Sequence, residues 1–163
     1  MKPLYYIVMG CSAFLLLAAC SRAPETGPVD IRWDRDVCAR CIMAVSDHFY
    51  SAEVRGAPSG ESTIVYKFDD LGCAVIWLGE QPWKDDPRTE MWVTHYETGE
   101  WLDAYKASYI TGRTTPMDYG LGAQAHTTPG ALAYEQAAAA ILKTNERADW
   151  EALNESVESG AAP

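Results

Sequence analysis

Apolar and polar residues alternate with the period of a strand in three short stretches. His48 to Arg55 places Tyr50, Ala52 and Val54 on one face, and Ser62 to Phe68 does the same with Ile64, Tyr66 and Phe68. Gly56-Ala57-Pro58-Ser59-Gly60 separates them, so the pair predicts a hairpin with a longer loop. Met91 to Tyr96 predicts a third strand. Between the second and third strands the period changes, and Leu71, Ala74, Val75 and Leu78 recur at helical spacing. Asp70 offers a carboxylate to the open first-turn amides of that helix, and Gly79 with Pro82 ends it.

A similar order follows the turn Glu97-Thr98-Gly99-Glu100. Trp101 to Ala104 and Lys106 to Ile110 are short strand candidates, and Gly112 to Thr128 reads as a Gly-, Thr- and Pro-rich loop. Thr128-Pro129 supplies an N-cap and a first helical residue for a helix running to about Asn145. Tyr134, Ala138, Ile141 and Leu142 form its stripe, and the Ala137–Ala140 run favours helix intrinsically. The fold class expected is α+β, as two small ββαβ units with antiparallel sheets over residues 33–155. The stretch from Asp149 is open between a short strand and a helical turn, and residues 156–163 read as a disordered tail.

The N-terminus has a different pattern. Lys2, the apolar run Leu4 to Leu17 and the small residues before Cys20 have the three regions of a secretory signal over residues 1–19. The run is too short for a transmembrane helix, which needs about 20 apolar residues. Leu17-Ala18-Ala19-Cys20 resembles the bacterial lipobox, which makes Cys20 a lipidation site and the mature first residue. Residues 20–32 then read as a lipidated Cys followed by a flexible, Pro- and Gly-bearing tether. The expectation is a protein on the periplasmic side, lipid-anchored to a membrane, and Ser21 after the lipidated Cys favours the outer membrane.

Composition narrows the partners. The 163-residue chain has a formal net charge of −10, which disfavours nucleic acid and anionic surfaces. Six Trp and nine Tyr supply ample material for a core. No Ser/His/Asp elbow, phosphate-binding loop or zinc-protease helix motif appears, so an enzyme is not expected.

The candidate chemistry is sulfur. Cys11 leaves with the signal and Cys20 takes lipid, so Cys38, Cys41 and Cys73 remain. Cys38-Ala-Arg-Cys41-Ile-Met43 offers two thiols and a thioether within six residues. Soft sulfur ligands select Cu(I), and Met43 favours that ion over zinc. Spacing alone leaves a redox pair, a local disulfide and half of a zinc site open. Cys73 reads as a small buried residue on the first helix. Met117, in a polar Gly-rich loop, is balanced between ligand and core, and His48, His95 and His126 are the available imidazoles.

With the lipobox and tether in front, Cys38-x-x-Cys41-x-Met43, then Tyr66-Lys67-Phe68-Asp69-Asp70-Leu71-Gly72-Cys73, then Pro116-Met117, resembles the nitrous oxide reductase accessory lipoproteins of the NosL family over about residues 36–145. The resemblance implies a Cu(I) chaperone that helps assemble the copper–sulfur centre of nitrous oxide reductase, with that enzyme and an ABC-type assembly transporter as partners. It implies a pair of ββαβ units, and metal ligands at Cys38, Cys41, Met43 and Met117. Ile42 and Asp118 stand where the family commonly has Gly.

Overall fold

The computed structural model describes residues 25–158. The signal segment, Cys20, residues 21–24 of the tether and residues 159–163 of the tail lie outside the described residues.

Strands β1 (Ala52–Gly56), β2 (Ile64–Phe68), β3 (Glu90–Thr94) and β4 (Trp101–Asp103) form an antiparallel sheet in the order β2-β1-β3-β4. Helix α1 (Leu71–Gly79) joins β2 to β3, which gives the expected ββαβ unit. In the second half, β4 adds to the first sheet, while β5 (Ser108–Ile110) and β6 (Gly122–Gln124) pair antiparallel as a separate ribbon before α2 (Tyr134–Glu158). The class is α+β with antiparallel sheets. The second half runs strand–strand–strand–helix among the described residues.

Side chains alternate across a strand, so β1 has two distinct faces. Ala52, level with Phe68 and Val93, and Val54, level with Tyr66 and Met91, are fully buried on the side where α1 packs. Full burial of a side chain such as Phe68 or Met91 is worth about 1.5–3 kcal/mol, and this layer is the main core. The other face carries Glu53 and Arg55, which are buried as well. The expected tether covers them. The Gly27 and Val29 N–H groups donate to the Glu90 and Glu53 carboxylates, Arg55 donates to the Gly27 carbonyl, and Ile31 is buried. Residues 27–31 are thus a strap on the sheet rather than free chain.

The first predicted strand starts four residues late. Asp47 Oδ1 accepts from Phe49 N–H and holds His48–Tyr50 in a turn, a local competition that short polar side chains often win. Asp70 caps α1 as expected, its Oδ1 accepting from Gly72 N–H at 2.7 Å. Thr128 does not open α2: Gly130 has a left-handed φ of +83° and breaks the turn, and the helix begins at Tyr134 with Gln136 Oε1 capping Ala133 N–H. α2 continues past Asn145 to Glu158, so residues 156–158 are helical rather than part of a disordered tail. Glu151 and Ala152 are good helix formers, and Asn145 Nδ2 donates one turn on to Asp149. Among the described residues no helix is long and apolar enough to cross a membrane.

Candidate metal centre

The Cys38–Met43 segment is a tight loop. Val37 bridges Ala44, Cys38 N–H donates to the Met43 carbonyl at 2.8 Å, and Ile42 N–H donates to the Cys38 carbonyl at 3.1 Å. Closing so short a loop forces Ile42 to a φ of +65°, a costly region for a β-branched residue. The Ala39 N–H donates to the Lys67 carbonyl, which fastens the loop to the end of β2.

The residues after β2 organise the rest. Asp69 Oδ1 accepts from the N–H groups of Ser46 and Asp47, holding the chain that leaves the loop. Asp70, nearly fully buried, caps α1 with Oδ1 and accepts from Met117 N–H at 3.1 Å with Oδ2. Burial raises the Asp70 pKa against the pull of the Thr115 hydroxyl and these two amides. One carboxylate therefore fixes both the helix that carries Cys73 and the loop that carries Met117. The Tyr119 ring closes over Gly72, where an added Cβ would lie 2.1 Å from the ring. Only a glycine admits that approach.

This scaffold brings three thiols together. The Sγ atoms of Cys38, Cys41 and Cys73 all lie within 4.8 Å of one another, and all three cysteines are free. Cys73 is buried, as its helical position predicts, but it is not merely packing: it faces the other two sulfurs. Sequence spacing misses this third thiol because it lies a β-hairpin away from the pair. Its signal was available in Asp69-Asp70-Leu71-Gly72-Cys73, where a cap sets the helix start and so the direction of a residue three positions on. Cys38 is fully buried and Cys41 only half-buried, so the cluster opens toward solvent on the Cys41 side.

The thiols share their protons unequally. Hydrogen bonds from the Cys73 thiol, the Cys41 thiol and the Asp69 and Cys41 amides outweigh burial and hold Cys38 down at about 4. The Cys41 N–H lies 3.4 Å from Cys38 Sγ. Burial and the bond to Cys38 push Cys41 up, and the bond to Cys38 with burial pushes Cys73 up further. The three thiols are coupled, and Cys38 is the one whose surroundings favour the thiolate.

The other candidates fall in three places. Met43 is partly exposed at the loop's end, with its carbonyl tied to Cys38. Met117 packs partly buried at the capped end of α1, and Asp118 after it has a φ of +58°. None of the histidines joins the sulfurs: His48 stacks on Trp33, His95 Nδ1 accepts from Glu97 N–H, and His126 is exposed.

A small α+β protein with three convergent free thiols has a cluster that could hold a metal ion. The chain matches no protein-family model and no curated protein.

Proposed function

We propose that the protein is an extracytoplasmic, lipid-anchored Cu(I)-binding metallochaperone. The observation that carries this reading is the convergence of the Cys38, Cys41 and Cys73 sulfurs within 4.8 Å. Among the described residues no fourth Cys, His, Asp or Glu atom joins them, whereas a structural zinc requires four ligands. Three thiolates suit Cu(I), and the thioethers that Met43 and Met117 carry are soft donors with the same preference. The half-buried Cys41 gives a point of entry and departure, as a carrier needs. The buried Cys38 and Cys73 keep water from the sulfurs.

The client follows from the resemblance to the nitrous oxide reductase accessory lipoproteins. On this reading the protein delivers copper for the copper–sulfur centre of that enzyme, alongside its ABC-type transporter, with Cys20 as the lipid anchor. Ile42 and Asp118, at positions where that family commonly has Gly, both have left-handed φ values, which supports the same local backbone. Anaerobic titration of the reduced protein with Cu(I) and Zn(II) in competition tests the metal. One Cu(I) bound in a sulfur-dominated site, with preference over zinc, is expected. A nitrogen- or oxygen-dominated absorption spectrum would overturn the reading.

One observation favours a second reading. Three free thiols this close, one of them in surroundings that lower its pKa, are also what a thiol–disulfide redox protein requires. Rapid mixed-disulfide formation at Cys41, with no Cu(I) retained against a chelator, would favour that reading.

A further inference from the structure

Arg40 lies inside the cysteine loop, between the two thiols of the Cys38–Cys41 pair. A residue at the tip of such a loop would ordinarily point to solvent. Arg40 is instead half-buried and held by two elements remote in sequence. Its Nη2 donates to Asn145 Oδ1 on α2 at 2.8 Å, and its Nη1 lies 3.4 Å from the Tyr119 hydroxyl. Tyr119 is the residue whose ring covers Gly72, next to Cys73. The cation is thus fixed beside the cluster by a planar fork that two acceptors orient.

Two other cations of this region, Lys67 and Arg32, are engaged elsewhere. Lys67 reaches the Asp30 carbonyl and Asp36, and Arg32 pairs with Asp36. The carboxylates of Asp69 and Asp70, meanwhile, lie at the helix end that carries Cys73. Three thiolates around a monovalent ion carry a net charge of −2, and around a divalent ion −1. In a chain with a formal charge of −10 and two carboxylates close by, the first complex needs a local positive charge more than the second.

We infer that Arg40 is a positioning residue for the metal–thiolate complex, balancing its charge and biasing the site toward monovalent soft cations. The inference rests on the three-thiol reading above. It makes Asn145 and Tyr119 the supports that keep the guanidinium in place when the metal enters or leaves.

The test compares wild type, Arg40→Gln, Arg40→Lys and Asn145→Ala, each as the reduced full chain, in anaerobic competition titrations with Cu(I) and Zn(II). Loss of a group that orients or balances metal ligands typically weakens binding by about 10–100-fold. Arg40→Gln is expected to weaken Cu(I) by that factor and Zn(II) by clearly less. Arg40→Lys, which keeps the charge and loses the fork, should recover most of the Cu(I) loss. Asn145→Ala, away from the loop, should show the same ordering in smaller degree and covers the case of a poorly folded Arg40 variant. An unchanged Cu(I) affinity in Arg40→Gln, an equal loss for both ions, or no recovery with Lys would overturn the inference alone. A wild type that binds neither ion would overturn the three-thiol reading and this inference with it.

Discussion

Asp70 links fold to site, and two substitutions separate its two tasks. Asp70→Ala removes the helix cap, which costs about 0.5–2 kcal/mol. It also removes the acceptor for Met117 N–H, a bond to a charged group worth about 1.5–3 kcal/mol. Because the site is nearly fully buried, water does not replace either bond cheaply. The carboxylate's own desolvation offsets part of the gain, so the expected loss is about 2–4 kcal/mol. Asp70→Asn keeps an oxygen for Gly72 N–H and caps about as well as Asp, but its NH2 cannot accept from Met117. Its expected loss is therefore about half that of Ala. Urea denaturation of the reduced metal-free proteins measures both, and amide exchange at Met117 reports the loop directly. Met117 should exchange faster in Asn and Ala alike, while Gly72 stays protected in Asn. Equal stability of the two variants, or a Met117 amide unaffected by Asn, would refute the shared-carboxylate account.

Three further outcomes follow from the same geometry. At Ile42, which has a φ of +65° and is mostly exposed, the usual ranking of Ala above Gly should invert. Left-handed strain of about 1–2 kcal/mol exceeds the entropic cost of Gly, so Ile42→Gly should unfold at higher urea than Ile42→Ala; the ordinary order would mean that the loop is not left-handed there. Glu53 is fully buried with Oε1 unpaired, and desolvation raises its pKa to about 7. A carboxyl raised in the folded state favours folding most below its unfolded value, and that advantage declines as pH climbs from about 4.5 to about 7. Glu53→Gln should therefore gain stability over wild type by about 3 kcal/mol between pH 5 and 8, with slower exchange at Val29 in the strap; a pH-independent difference would refute this. Finally, metal capture by all three sulfurs near pH 7 should release two protons rather than three, if the hydrogen bonds to Cys38 hold its pKa well below the ordinary thiol range. Calorimetry in buffers of different ionisation enthalpy counts them, and a release of three would place the first thiol back in the ordinary range.

Elements with local signals are legible in the residues themselves. The Gly56–Gly60 turn between alternating runs, the period change at Leu71 and the Asp70 carboxylate give the β1–β2 hairpin and the capped α1 within a few residues. The Cys38–Cys41 pair was legible for the same reason, since its spacing is within one loop. Strand β6 was not, because Gly122-Ala123-Gln124 has no β-forming side chain and is a strand through its pairing with β5 and the bridge from Ala123 to His95.

Features that need two distant segments to meet arise only when the chain packs. Cys73 becomes a partner of Cys38 because β2 runs antiparallel to β1 and delivers the start of α1 beneath the cysteine loop. Arg40 becomes a fixed charge because α2 returns to offer Asn145. Residues 27–31 change from tether to strap because Glu53 and Arg55, which look like a solvated strand face, have backbone groups laid against them. Periodicity reports which face of an element avoids water; which other element covers that face, and which side chains then converge, is set by chain topology alone.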